Sequence, residues 1–321
     1  MYYNLYIASC DKEGGIYHYR MDKDNGDVSL KGFVSLDRPT YMYVSEDRLY
    51  ALMKAPFCNT KESGLITYDI RSDGSLANPS DVISTHGEAA CHLTLVGEDV
   101  YCVNYLSGNV VKMPDTVVKH EGVGINLPRQ ASAHTHFVCL TPDDKYLCVT
   151  DLGLDKIFIY DKNLNYISDA SVPAGHGVRH IVFSDCGRYC FSANELKSTA
   201  SAFEYSDGHL RYIDTQACLP DDFTGESTAA AIRYYNGKIY VSNRGHNSVS
   251  ILDFNENKLE LLKTHSVFGK SPRDFIIVGD YIISTNEESD NVSLIDCESG
   301  RLVKSIENIK SPLAAVVTTE A

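Results

Sequence analysis

The sequence has no tryptophan, and no apolar run approaches the roughly 18 residues that a membrane-spanning helix needs, so no membrane-spanning helix is expected. Its opening, MYYNLYIASCDKEGG, lacks a basic start followed by a long apolar stretch, so no secretory signal is read and a cytoplasmic location is expected. Positive charge is scarce: 29 Lys and Arg stand against 43 Asp and Glu, a net charge of -14, which disfavours nucleic acid and anionic membrane surfaces as partners. Ten cysteines are present, but no CxxC, CxxCH or zinc-ligand spacing. Cys102, Cys139, Cys148 and Cys190 fall within strand patterns as small apolar residues, so reduced core thiols are expected rather than disulfides or a metal site. The chain also lacks a Gly-rich phosphate loop, a nucleophile elbow and metal-spaced histidines, leaving covalent serine chemistry and zinc catalysis without support. No linker of altered composition, low-complexity tract or long amphipathic helix interrupts it, and one domain over residues 1–321 is expected.

What is present is a repeat. The stretch His134 to Asp161 reads as strand, Thr-Pro-Asp-Asp turn, strand, polar loop, strand. Val178 to Tyr205, Ser227 to Phe254 and Ser271 to Cys297 copy that plan, and Pro39 to Met53 and Cys91 to Asn104 follow it more loosely. The residues closing the second strand of each copy, Ser9, Met53, Asn104, Asp151, Asn194, Asn243 and Asn286, recur at intervals of roughly 43 to 51 residues. A period of that size with several strands per unit predicts an all-β, seven-bladed β-propeller with four-stranded antiparallel blades. The chain opens on a second-type strand, Asn4 to Ser9, whereas Ser311 to Val317 resembles the opening of the copy at Ser271. The C-terminal segment is therefore predicted to supply the innermost strand of the N-terminal blade, which removes free sheet edges. A polar excursion at Asn59 to Gly64 and irregular segments at Asp115 to Ser132 and Ala217 to Glu226 are also expected; the second, with Gly122, Gly124 and Pro128, is long enough to suggest function.

In an antiparallel meander the start of the first strand and the end of the second lie at one edge of the sheet. In a propeller the first strand also lines the axis, so these positions from all blades converge on one mouth. The first-strand positions are Thr40, Cys91, His136, Arg179, Ala229, Arg273 and Leu313, with His134 on the face of His136 and with His92 and His180 adjacent. The positions just after the second strands are Cys10, Lys54, Tyr105, Leu152, Glu195, Arg244 and Glu287. For an acidic protein this is a local concentration of positive charge, suited to a phosphate or carboxylate through bidentate hydrogen bonds. Plainer roles exist for each. The arginines pair structurally with Glu195, Glu226 or Glu287, the histidines are satisfied strand residues, and Asp151, Asn194, Asn243 and Asn286 bind loop backbone as turn residues. In the same plainer reading His176 and His180 belong to a loop or pack behind the channel.

Taken together, His134-Thr135-His136 before a Pro-Asp turn, Val178-Arg179-His180-Ile181, Ser192 to Leu196, Ser242-Asn243-Arg244-Gly245 and Ser271-Pro272-Arg273 resemble the seven-bladed lactonase family. That family contains bacterial propeller-type 6-phosphogluconolactonases and fungal 3-carboxy-cis,cis-muconate lactonizing enzymes. The copies at Cys91-His92 and Ser227-Thr228 carry no arginine, and the turn Ser184 to Gly187 departs from the Pro-Asp-Gly form. The resemblance implies hydrolysis of a sugar lactone, foremost 6-phosphoglucono-1,5-lactone, with no metal or organic cofactor and a small anionic substrate as the partner. His134, His136, Arg179, Glu195 and Arg244 are the catalytic candidates; Arg273, His180, Glu287 and Asn243 are candidates for holding substrate. His134, His136 or Glu195 would activate water, Arg179 or Arg244 would stabilise the oxyanion, and Arg273 or Arg244 would hold the phosphate. Muconate cycloisomerisation at the same residues, and a non-catalytic propeller that binds a ligand or partner, are the alternatives.

Overall fold

The computed structural model describes residues 1–54, 57 and 60–320; Asn59, the first residue of the expected polar excursion, lies outside them. Apart from one 3-10 turn at Glu195–Lys197, the regular structure among the described residues is entirely strand, arranged in seven antiparallel sheets, one per repeat. This is the all-β, seven-bladed propeller plan expected from the repeat. The chain divides into two compact units, residues 1–92 with 267–321 and residues 93–266.

The first unit holds three sheets. Tyr2–Ser9, Gly15–Asp22 and Val28–Ser35 form the first sheet together with Pro312–Thr319, which pairs with Tyr2–Ser9 from Tyr3 opposite Thr319 to Ala8 opposite Ala314. The C-terminal strand thus joins the N-terminal blade as expected. The second sheet runs Pro39–Ser45, Arg48–Met53, Gly64–Ile70 and Leu76–Ala77, but Ile83–Ser84 also pairs with Gly64–Ile70. This sheet therefore has five strands rather than four, because its outer edge is split into two short pieces. The seventh sheet is Pro272–Val278, Tyr281–Asn286, Asn291–Asp296 and Leu302–Glu307. Apolar faces pack sheet on sheet: Leu5, Ile7 and Met21 against Ile283, Val292 and Leu294, and Tyr6 and Ile16 against Met42, Leu49 and Ala51.

The second unit carries the third sheet from Leu93 onward, with Asp99–Asn104, Asn109–Lys112 and Thr116–Lys119 following the strand Ala90–Val96. Thr116–Lys119 lies inside the segment expected to be irregular; its Thr-Val-Val run is β-branched, and pairing with Asn109–Lys112 outweighs the glycines that follow. Residues 120–134 form neither helix nor strand. The fourth sheet comprises Thr135–Leu140, Tyr146–Asp151, Lys156–Asp161 and Tyr166–Ser171. The fifth comprises Val178–Phe183, Tyr189–Asn194, Thr199–Ser206 and His209–Ala217, and the sixth Thr228–Tyr235, Lys238–Arg244, Ser248–Asn255 and Lys258–Ser266. Cys148, Ile157 and Ile159 of the fourth sheet pack on Val178, Cys190 and Phe203 of the fifth, whose Phe191 and Ala202 pack on Ile239, Val241 and Leu252 of the sixth.

Turn chemistry sets the registers. Tyr235 pairs with Lys238 and Ser206 with His209, so Asn236-Gly237 and Asp207-Gly208 are two-residue hairpin loops, with positive φ at both residues of each. The residues closing the second strands divide between the expected job and another. Asp151 accepts the Leu154 N–H at 3.2 Å and Asn286 donates to the Val267 carbonyl at 3.3 Å, both loop backbone as expected, whereas Asn194 and Asn243 donate to serine or threonine hydroxyls on the next strand, such as Ser201 at 2.8 Å and Ser250 at 2.7 Å.

A recurring irregularity positions the site. Each of five first strands skips one residue in its pairing with the second strand, and the skipped residues are Thr40, His136, Arg179, Arg273 and Leu313. Such a bulge turns a side chain out of the strict alternation of the strand. Backbone bonds tie the same edge down: Leu152 N–H to the His134 carbonyl at 2.9 Å, Glu195 N–H to Gly177 at 2.7 Å and Glu287 N–H to Ser271 at 3.0 Å.

Candidate functional site

In the second unit the edge positions converge on one carboxylate. Glu195 follows directly on the strand Tyr189–Asn194, opens the 3-10 turn and is buried. Its Oε2 lies 3.2 Å from Arg179 Nε and 2.9 Å from Arg244 Nη2, while Oε1 accepts a hydrogen bond from Arg129 Nη2. Three guanidiniums share one carboxylate, leaving a formal excess of two positive charges. Burial alone would raise the Glu195 pKa; the charges of Arg244, Arg179, His136 and Arg129 outweigh it and hold the carboxyl well below the usual carboxylate range. The arginines differ in access: the side chains of Arg179 and Arg244 are 4% and 14% exposed, that of Arg129 46%.

Aromatic rings border the cluster. His134 stacks on Tyr105 with ring centroids 4.5 Å apart, and His136 meets Tyr105 edge-on at 5.6 Å and His180 at 5.3 Å. His134 Nδ1 is 2.9 Å from the Tyr105 carbonyl oxygen. A carbonyl only accepts, so Nδ1 carries a proton, and of the two neutral tautomers this geometry selects the one whose lone pair lies at Nε2. His180 Nε2 is 3.0 Å from Arg179 Nη1, and because a guanidinium only donates, that nitrogen accepts and is committed to orienting Arg179. Behind His134, Asp151 Oδ1 accepts the His134 backbone N–H at 2.8 Å and Oδ2 lies 2.7 Å from Nδ1 of His120, whose Nε2 is 2.8 Å from the Tyr160 hydroxyl. This buried chain fixes the backbone on which both site histidines are carried.

Of the sequence candidates, Arg179, Glu195 and Arg244 are brought into contact, with His136 within electrostatic reach of Glu195 and His134 one ring away across Tyr105. Asn243 is buried and donates to Ser250 and Ser248 hydroxyls. Arg273 and Glu287 lie in the first unit, 3.4 Å apart as an ion pair. There they share an edge with Cys10, whose thiol burial pushes up to about 11 against the opposing pull of Lys54, Arg273 and Arg38. Arg129 is the residue sequence reasoning missed. Its only advance sign was the length of the segment that carries it. Among the described residues no group of three or more His, Cys, Asp or Glu side chains is arranged to hold a metal ion, and no helix is long and apolar enough to cross a membrane.

Comparison with solved structures gives three close likenesses of fold. A protein from Lactobacillus plantarum is 26% identical, with a TM-score of 0.89 over 99% of this chain and 100% of its own. A Bacteroides fragilis protein described as a candidate 6-phosphogluconolactonase is 23% identical, with a TM-score of 0.87 over 99% and 98% of the two chains. The periplasmic gluconolactonase PpgL of Pseudomonas aeruginosa is 24% identical, with a TM-score of 0.87 over the whole of both chains. The family model described as "Lactonase, 7-bladed beta-propeller" matches residues 4–319, and the chain therefore belongs to that family.

Proposed function

We propose that this protein hydrolyses 6-phosphoglucono-1,5-lactone to 6-phosphogluconate. The observation that carries the reading is the buried Glu195 clamped by three arginines beside His134 and His136. With two positive charges in excess the cluster is not self-neutralising, which favours an anionic substrate over a purely structural knot of ion pairs. The names of the Bacteroides and Pseudomonas neighbours, a candidate 6-phosphogluconolactonase and a periplasmic gluconolactonase, support the reaction class.

In this reading Nε2 of His134 accepts a proton from water as the water oxygen attacks the lactone carbonyl carbon. Arg244, the more accessible of the two strand-end arginines, stabilises the oxyanion, with Arg179 behind it sharing Glu195 Oε2. The bond from the carbonyl carbon to the ring oxygen then breaks, and the leaving alkoxide takes the proton back from the imidazolium. The acid product ionises and releases one proton. Glu195 holds the arginines rather than acting as the base, since a carboxylate so strongly stabilised is a weak proton acceptor. A cytoplasmic location is part of the proposal, supported by the fully buried thiols of Cys148, Cys190 and Cys218, which suit a reducing compartment.

The test is proton release in a pH-stat with freshly prepared lactone, compared with the spontaneous rate. The wild type is expected to exceed it strongly, His134→Ala to lose about 10²–10⁴-fold and Arg179→Met about 10²–10³-fold in kcat. A wild-type rate equal to that of buffer would overturn the proposal.

A further inference from the structure

We infer that Arg129 is the residue that selects a phosphorylated lactone over its unphosphorylated counterpart. The inference rests on the proposed lactonase reading and assigns the site's preference to a side chain outside the sheets. Three observations carry it. Arg129 is the one member of the arginine trio with a largely open side chain, whereas Arg179 and Arg244 are nearly or mostly covered and committed to Glu195, His180 and the Ala229 carbonyl. A guanidinium has five N–H donors in a planar fork, so after the bond to Glu195 and the contact with the Tyr105 side chain it retains donors for a phosphate monoester.

The second observation is that Arg129 is placed, not loose. The next residue, Gln130, is fully buried. Its Nε2 donates to the Leu152 carbonyl and to Asp155 Oδ1, each at 2.8 Å, and its Oε1 accepts the Asn126 N–H at 2.9 Å. Asp155 Oδ1 also accepts the Gly177 N–H at 2.6 Å, and the Gly177 carbonyl in turn accepts the Glu195 N–H. One hydrogen-bonded chain therefore fixes both the loop that carries Arg129 and the backbone of its partner carboxylate. A pre-set fork of this kind gains selectivity because little side-chain freedom is lost on binding.

The third observation is electrostatic. Glu195 offsets one of the three guanidinium charges, Arg129 holding Oε1 while Arg179 and Arg244 share Oε2, so the cluster as a whole stays cationic and Arg129 is its most exposed member. A dianionic phosphate would engage it far more strongly than a sugar hydroxyl.

The experiment compares kcat/KM for 6-phosphoglucono-1,5-lactone and glucono-1,5-lactone in the wild type, Arg129→Met, Arg129→Lys and Gln130→Leu, alongside calorimetric titration with 6-phosphogluconate and gluconate. The ratio of the two kcat/KM values is expected to fall about 10- to 100-fold in Arg129→Met, the span of one charge-assisted hydrogen bond. Arg129→Lys should fall between, and Gln130→Leu should lower the ratio through KM for the phosphorylated substrate. A ratio that stays at the wild-type value while both rates drop together would overturn the assignment, as would a wild type without preference for the phosphorylated lactone. If the wild type accelerates neither lactone, the proposed reaction fails. The product titrations then decide on Arg129: tighter binding of 6-phosphogluconate than gluconate, abolished in Arg129→Met, supports it, and equal binding overturns it.

Discussion

Glu195 concentrates the residue-scale logic, because a buried carboxylate is stable only when its charge is matched, and here three guanidiniums match it. Replacing it by Gln leaves Arg179 and Arg244 buried without their counter-charge, and a loss of about 3–5 kcal/mol in unfolding free energy is expected from urea titration. The pH sign follows from the depressed folded-state pKa. The stabilisation is fully present above the unfolded-state value of about 4.3, declines as pH drops below it, and is lost as pH falls through the lower folded value. The stability gap between wild type and Glu195→Gln should therefore be flat from neutral pH down to about pH 5 and narrow below that, judged against the reference carboxyl value. A gap that closes around neutrality would show that the carboxyl is not held in this way. At this scale Arg179, Glu195 and Arg244 were legible in the sequence from their phase in the repeat. Arg129 was not, because a loop residue has no phase.

Among the elements, the bulged starts of the first strands of the fourth and fifth sheets decide what reaches the site. His136 and Arg179 occupy the same skipped position of adjacent sheets, so the bulge, not simple alternation, aims both. The Thr150 hydroxyl donates to the Arg179 carbonyl at 2.7 Å, tying the bulge of the fifth sheet to the fourth. Thr150→Val, which removes that bond, is expected to cost about 0.5–1.5 kcal/mol and to lower kcat more than a surface substitution of equal cost; unchanged kcat would argue that the bulge does not aim Arg179. Gly177 is the other hinge of this edge. Its φ is +68°, and a Cβ would sit 2.7 Å from the Leu196 side chain. Gly177→Ala should therefore destabilise by about 1–3 kcal/mol in thermal unfolding and shift Glu195, whose N–H binds the Gly177 carbonyl. The strand, turn, strand plan of the copies was readable in the text because tight turns such as Asn236-Gly237 are set by local residues. The bulges were not, since pairing that skips a residue leaves no mark in composition.

On the scale of the whole molecule, an acidic chain has gathered cations at one place, so long-range charge opposes the anion that the local cluster attracts. The joining of the two chain ends within one sheet carries its own consequence. Deleting residues 312–320 would strip the strand that pairs with Tyr2–Ser9 and uncover Leu5 and Ile7, now fully buried beside Ala315. Loss of cooperative unfolding and concentration-dependent aggregation are expected, seen by calorimetry and light scattering; a truncated chain that melts like the full one would contradict a structural role for the closure.

Sequence order alone determined the seven repeats, the strand and hairpin positions and the pairing of the chain's two ends, because periodicity and turn chemistry act between near neighbours and are written in the spacing of residues. Tertiary structure alone decided that one carboxylate serves three arginines, that Arg129 reaches Glu195 across 66 positions of chain, and that Arg273 pairs with Glu287 in the other unit. Those outcomes depend on distances through space, which a bulge of one residue or the fold of one loop sets and no local pattern encodes.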